Sequence, residues 1–242
     1  MISVRTGTGR ILIGKQLLPQ TGKRCRALGL FGRCAVISDT NVAALSSDRV
    51  KQSLAAADFQ STLITIPAGE KSKTLEQAGA ICDQMIASGL DRQSFIVGLG
   101  GGVVGDISGF VAAIYHRGIP HVQVPTTLLA MADSSIGGKT GVNTAAGKNL
   151  IGTVHHPSLV IDDLDVLKTL PKREVQYTPP PGIEFLPMRV HAAAQPVQVS
   201  MDREALVPLP SLHRADVAVQ VRRDFLPGVK WSFGIGRVRC RE

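Results

Sequence analysis

The sequence predicts an α/β fold built on a mainly parallel sheet with helices on both faces. Two observations carry this. Apolar runs of strand length alternate with helically patterned stretches through about the first 170 residues. The loops between them are short, as strand–helix–strand units require. A third observation says where a ligand sits. The run Phe95-Ile96-Val97-Gly98-Leu99 ends in Gly100-Gly101-Gly102 and passes into a helical pattern near Val103. Such a junction leaves no Cβ between backbone N–H groups and an approaching phosphate, and the positive end of the helix points to the same place.

The elements follow in order. Residues 2–13 hold short alternating segments that read as edge strands. Helical spacing over 14–30 stops at Gly29. Residues 34–38 are a buried strand, and Asp39-Thr40-Asn41 caps a helix to about Ala57. A strand at 63–66 leads into the loop 67–73, which by itself reads as a solvated turn. A helix over 74–88 then returns to the strand at 95–99, expected centrally in the sheet. Residues 122–125 form another strand, and Thr126-Thr127 cap the helix behind it. A last strand lies at 159–161. The loops at 39–41, 68–73, 100–106 and 126–127 all follow strand C-termini, the edge where parallel sheets bind ligands.

A chain of 242 residues that is 44% hydrophobic can bury a real core, although aromatics are only 4%. The net charge of +8 admits nucleic-acid binding, but the charges are scattered and little aromatic surface is interleaved with them. We therefore expect no nucleic-acid partner. Cys25, Cys34, Cys82 and Cys240 have no CxxC spacing and read as free thiols of a reducing compartment. No apolar run spans a membrane, and the N-terminus lacks a signal-peptide pattern. The expectation is a cytoplasmic protein with no membrane partner.

From Asp133 the chain runs through Ser134, Ser135, Gly137, Gly138, Lys139, Asn143, Gly147, Lys148 and Asn149. This is poor core material, suited to a polar pocket for an anionic, hydroxyl-rich ligand. The runs GGGVVGD, YHRG, VPTTLLAMADSSIGGKTGVN and GKNLIG closely resemble those of the 3-dehydroquinate synthases, NAD-dependent sugar-phosphate cyclases. The resemblance covers roughly residues 1–174, expected as a Rossmann-like NAD-binding domain.

What the resemblance implies can be placed residue by residue. For NAD it implies Asp39 and Asn41, then Ala68, Gly69, Glu70, Lys71, Ser72 and Lys73, with Glu70 and Lys73 as the polar contacts. It adds Gly102, Val103, Val104, Gly105, Asp106, Thr126, Thr127, Lys139, Lys148, Val166, Leu167, Lys168 and Thr169. For the substrate it implies Asp133, Lys139 and Asn149, with Lys148 shared between cofactor and substrate. Arg117 resembles an arginine that reaches substrate phosphate across a homodimer interface, a task that suits a bidentate fork. The substrate implied is a small sugar-phosphate acid, and the metal implied is zinc or cobalt.

After Glu174 the resemblance stops. The family carries a metal-binding glutamate and then a lysine on the next helix. Here Pro181 stands at the glutamate position and Glu184 at the lysine position, and Pro179-Pro180-Pro181 cannot lie inside a helix. Residues 1–174 hold 9 Lys and 9 Arg; residues 175–242 hold 1 Lys, 8 Arg and 8 of the 14 Pro. This composition reads as a frameshifted or disordered tail. Glu184, His191 and His213 are interrupted by further prolines and read as solvated side chains, so no metal ligand is assigned. His155-His156 read as loop residues. The competing functional classes are a metal-dependent polyol dehydrogenase, which shares the GGG-x-x-x-D junction but lacks GGK-T-x-VN and GKN, and a non-catalytic dinucleotide-binding protein.

Overall fold

A computed structural model describes residues 1–171 except Gly7, together with the backbone of Arg189–Val190 and Val229–Lys230. The readings of Pro179 to Pro181, Glu184, His191, His213 and Cys240, and of a frameshifted or disordered tail, lie outside the described residues. In chain order the elements of the first unit, Met1–Leu170, are β1 (Ile2–Arg5), β2 (Arg10–Gly14), α1 (Thr21–Ala27), β3 (Arg33–Asp39), α2 (Thr40–Ala55), β4 (Gln60–Ile66), α3 (Leu75–Ala87), β5 (Phe95–Gly100), α4 (Gly102–Ile114), β6 (His121–Pro125), β7 (Lys139–Thr144), β8 (Gly147–Val154) and β9 (Leu159–Asp163). In the second unit, Pro171–Glu242, the two short strands pair antiparallel.

Seven strands form one sheet in the order β1-β2-β9-β6-β5-β3-β4. Only β1 is antiparallel to its neighbour; every other pairing in this sheet is parallel. The fold is therefore the Rossmann-like α/β sheet expected. β5 is interior and buried at every position, although β6 takes the middle place. Of the two N-terminal strands only β1 is an edge. β2 lies inside, held between β1 and β9, because its second partner comes from the far end of the unit.

Right-handed crossovers place α2, on the β3-to-β4 path, on one face and α3 and α4, which run back toward β5 and β6, on the other. Local signals start these helices. Asp39 Oδ1 accepts the N–H groups of Asn41 (2.9 Å) and Val42 (3.0 Å), and Thr74 Oγ1 accepts that of Gln77 at 3.2 Å. Both are side-chain N-caps. Leu30 and the strand behind it follow Gly29, whose φ of +76° is the left-handed turn that ends α1.

α4 is apolar nearly all round and buried on most sides, the pattern of a helix covered twice. One cover is the sheet; the other is the β7–β8 hairpin, whose Val142 joins the core of α3 and α4. At Gly109 a Cβ would meet Thr140 Cγ2 at 2.4 Å, so this glycine lets the hairpin lie directly on the helix. The sequence showed polar pocket residues here and no hairpin. β8 is exposed along nearly its whole length, and a strand with no buried face has no period-two signal.

Among the described residues, His121 and Asp162 are two of the buried polar groups that lack a hydrogen-bond partner. His121 is fully buried, stacked on His155 at 5.1 Å, and burial lowers its imidazole to about 3. Asp162 is 2% exposed with Oδ1 unpartnered, and burial pushes its carboxyl up to about 8. Its neighbour Asp163 points the other way and accepts the N–H groups of Leu17 (2.7 Å) and Leu18 (2.9 Å).

Two outcomes are expected. Gly109→Ala should destabilise the domain by about 1–3 kcal/mol through overpacking, and adding Thr140→Ser should restore much of that, because it removes the clashing methyl and keeps the Oγ1 bond to Thr153 O; urea unfolding of both variants checks this. Between the ordinary carboxylate value of 3.8 and about 8, the folded state holds a proton at Asp162 that the unfolded state has lost. Asp162 therefore costs stability as pH rises through that window, by up to about 1.4 kcal/mol per pH unit. Asp162→Asn should raise the melting temperature more at pH 8 than at pH 5; an equal gain at both values would contradict this account.

Candidate functional site

The parallel strands β3, β4, β5, β6 and β9 bring their C-terminal loops to one edge of the sheet, and the four expected ligand loops all lie there. They are tied together: Ala68 N donates to Thr40 Oγ1 at 3.3 Å, and Thr126 N to Gly100 O at 2.9 Å. Thr127 Oγ1 accepts the N–H of Ala130 at 3.2 Å and so caps a short segment that winds as a π-helix over Ala130–Ser134.

At the centre of this edge the N-terminus of α4 is bare. Its N-cap is Gly101, which has no side-chain oxygen to offer, and the first amides of a helix have no intrahelical acceptor. A Cβ at Gly101 would lie 3.1 Å from Thr127 Cγ2, and one at Gly102 3.2 Å from Ser134 Oγ. The result is a narrow, backbone-lined surface with a positive dipole end, a fit for a dinucleotide's pyrophosphate.

Beside it, three separate stretches converge. Lys73, 4% exposed, donates from Nζ to the Asp106 carboxylate on α4 and to Asn149 Oδ1 on β8 at 2.5 Å. Glu70 Oε1 accepts from Asn143 Nδ2 at 2.8 Å and lies 3.7 Å from Lys148 Nζ. Asn143 Oδ1 accepts Asn149 N–H at 3.0 Å, and Asn143 N–H goes to Lys73 O at 2.7 Å. The bond from Asn143, with Lys148 and Lys73 nearby, holds the Glu70 carboxyl below its ordinary value. Burial raises that of Asp106, and Lys73 pulls against this. An open cleft of about 350 Å³ adjoins the cluster, lined by Glu70, Lys71, Thr74 and the hairpin tip.

Of the residues singled out in the sequence, Glu70, Lys73, Asp106, Lys148 and Asn149 are therefore in one network. Gly102, Val103, Val104 and Gly105 form the bare helix start. Asp133 is exposed on the π-helix, close enough for its charge to act on Asp106. Ser72 shapes its loop by donating to Pro67 O at 2.6 Å; Ala68, Gly69 and Lys71 are exposed. Asp39 is occupied in capping, with Asn41 exposed beside it. Val166–Thr169 form a 3-10 turn beyond β9 on the same edge, where Lys168 pairs with Asp165 at 2.7 Å. Thr126 is buried.

Two residues stand apart. Lys139 begins β7 opposite Val154, at the end of the hairpin away from its tip. Arg117 is exposed at φ +69° between α4 and β6, on the opposite edge of the sheet. Sequence reasoning counted Ser134 and Asn143 among the polar pocket residues but gave neither a specific contact. The signal for Asn143 was its place in VN six residues before the asparagine of GKN.

Comparison with known proteins places the kinship of the N-terminal part of the chain. Residues 63–177 match the family described as 3-dehydroquinate synthase N-terminal. The 3-dehydroquinate synthase of Pelobacter propionicus is 54% identical over 164 residues, 68% of this chain and 46% of that protein. The N-terminal part of the chain is related to the 3-dehydroquinate synthases. Among solved structures, a 2-epi-5-epi-valiolone synthase from Streptomyces hygroscopicus with NAD+ and Zn2+ bound is 34% identical at a TM-score of 0.63, over 72% of this chain and 48% of the other. A 2-deoxy-scyllo-inosose synthase complexed with carbaglucose-6-phosphate, NAD+ and Co2+ is 28% identical at 0.66, over 72% and 49%. The chain thus spans about half the length of the relatives it matches.

Among the described residues no group of three or more His, Cys, Asp or Glu could hold a metal ion. The described residues do not fit a zinc or cobalt site. No helix among them is long and apolar enough to cross a membrane.

Removing Asp106 should expose how much the network depends on its charge. Asp106→Ala leaves the Lys73 ammonium buried with Asn149 as its side-chain partner, which should cost about 3 kcal/mol or more. Asp106→Asn, which keeps the shape and one acceptor, should cost less. Chemical denaturation of the three proteins decides between this and a pair of no consequence.

Proposed function

We propose that this chain binds NAD across the C-terminal edge of its sheet and derives from the 3-dehydroquinate synthases, which would make its ligand class a sugar-phosphate acid. The observation that supports this best is the convergence of Lys73, Asp106, Asn143, Lys148 and Asn149 beside the bare N-terminus of α4. In this reading the amides of Gly102, Val103 and Val104 face the pyrophosphate. Lys148 offers a cation to an anionic group, and the amide of Asn149 with the carboxylate of Asp133 meets substrate hydroxyls. Arg117, on the far edge of its own sheet, serves a site in a second copy of the chain. NAD, when bound, supplies a hydride acceptor that is regenerated within the cycle.

The reaction proposed for this lineage is cyclisation of 3-deoxy-arabino-heptulosonate 7-phosphate to 3-dehydroquinate with loss of phosphate, in the cytoplasm. We propose that the 242-residue chain itself performs it poorly, because Pro181 stands at the family's metal-binding glutamate. Losing one electrostatic stabiliser commonly costs about a hundredfold to a thousandfold in rate.

Calorimetric titration should find weak NAD binding to the full chain, reduced at least tenfold in Gly101→Leu, whose side chain enters the phosphate approach. Phosphate release from the keto-acid phosphate with NAD and zinc or cobalt should stay near background. Folded protein without NAD affinity would overturn the cofactor assignment, and robust turnover would overturn the impaired activity.

A further inference from the structure

We propose that Asn143 is a positioning residue: its amide sets Lys148 and Asn149 against Lys73 by a fixed donor–acceptor polarity. This rests on the NAD-binding reading above and assigns a role that neither the motifs nor the relatives supply. The hairpin is irregular at this point. Its pairing shifts between Val142↔Ile151 and Thr144↔Gly147, so that Asn143 alone faces residues 148–150. The additional residues of β8 bulge toward the loop after β4, which is how Lys148 and Asn149 leave the ladder. Asn149 adopts φ +57° there, a conformation asparagine tolerates better than most residues.

Asn143 holds this bulge from both ends of its amide. Nδ2 donates to Glu70 Oε1 at 2.8 Å and Oδ1 accepts Asn149 N–H at 3.0 Å. Its backbone N–H donates to Lys73 O at 2.7 Å, and its strand segment bridges Thr74. A carboxylate at this position cannot donate to Glu70, and an alanine does neither job. The charges facing the position are Glu70 and Lys73 from the loop after β4, Asp106 from α4 and Lys148 from β8. Asn149 is thereby held twice, its N–H on Asn143 Oδ1 and its own Oδ1 on Lys73 Nζ.

The test uses the full chain with Asn143→Ala, Asn143→Asp and the double variant Asn143→Asp/Glu70→Gln, in which amide and carboxylate change places. Two readouts are taken: hydrogen exchange of the Asn149 amide by NMR, and NAD affinity by titration at pH 5 and pH 8. Asn143→Ala should speed Asn149 exchange at least tenfold. Asn143→Asp should do so at pH 8 and recover toward pH 5, as one of two facing carboxylates takes a proton; the double variant should recover at pH 8. NAD affinity should follow the same order, changing about fivefold or more. Unchanged exchange in Asn143→Ala, or no recovery in the double variant when Asn143→Asp is impaired, overturns the proposal. If the wild-type chain binds no NAD, the functional reading falls, and the exchange arm still decides the role of Asn143.

Discussion

A buried ammonium constrains the functional edge of this domain more than any other group. Lys73 is almost wholly removed from water, and an isolated buried charge is far too costly to persist. It is compensated by a carboxylate from α4 and an amide oxygen from the hairpin, while its own backbone carbonyl receives Asn143. Meeting that one electrostatic demand docks three segments that are distant in sequence. The pair is no free source of stability, since its own desolvation offsets the attraction. What it contributes is a defined geometry at the mouth of the cleft.

The mechanical support for that geometry is α4. Covered by the sheet on one side and the hairpin on the other, it carries Asp106 near its bare N-terminus and Gly109 in its middle. The same helix thereby presents a positive end to a ligand, a carboxylate to Lys73 and a seat for β7. The tight seat at Gly109 and the amide bonds of Asn143 act at different points along one hairpin, the first in its body and the second near its tip.

His121 and Asp162 show the cost of building on a deeply buried sheet. Both are polar residues on central strands with no partner among the described residues, and burial drives each toward its neutral form. His121 weakens the fold as pH falls from 6.5 toward 3, and Asp162 weakens it as pH rises from 3.8 toward 8, so the two oppose each other in mildly acidic solution.

Much of this was legible in the amino acids. Runs such as Phe95-Ile96-Val97 and caps such as Asp39 and Thr74 act over a few residues, so the strands, helices and their alternation followed from local chemistry. The parallel order then placed the ligand loops on one edge, and the motifs carried the kinship. The hairpin was not legible, because β8 is exposed on both faces and leaves no alternation to read. Nor was the role of Asn143, whose partners Glu70 and Lys73 lie some seventy positions away. The sequence by itself determined the candidate ligand loops and the edge of the sheet on which they gather. Only the tertiary structure decided which residues touch, joining Lys73 to Asp106 and Asn149 and leaving Lys139 and Arg117 outside, because burial and long-range hydrogen bonding are properties of the packed chain.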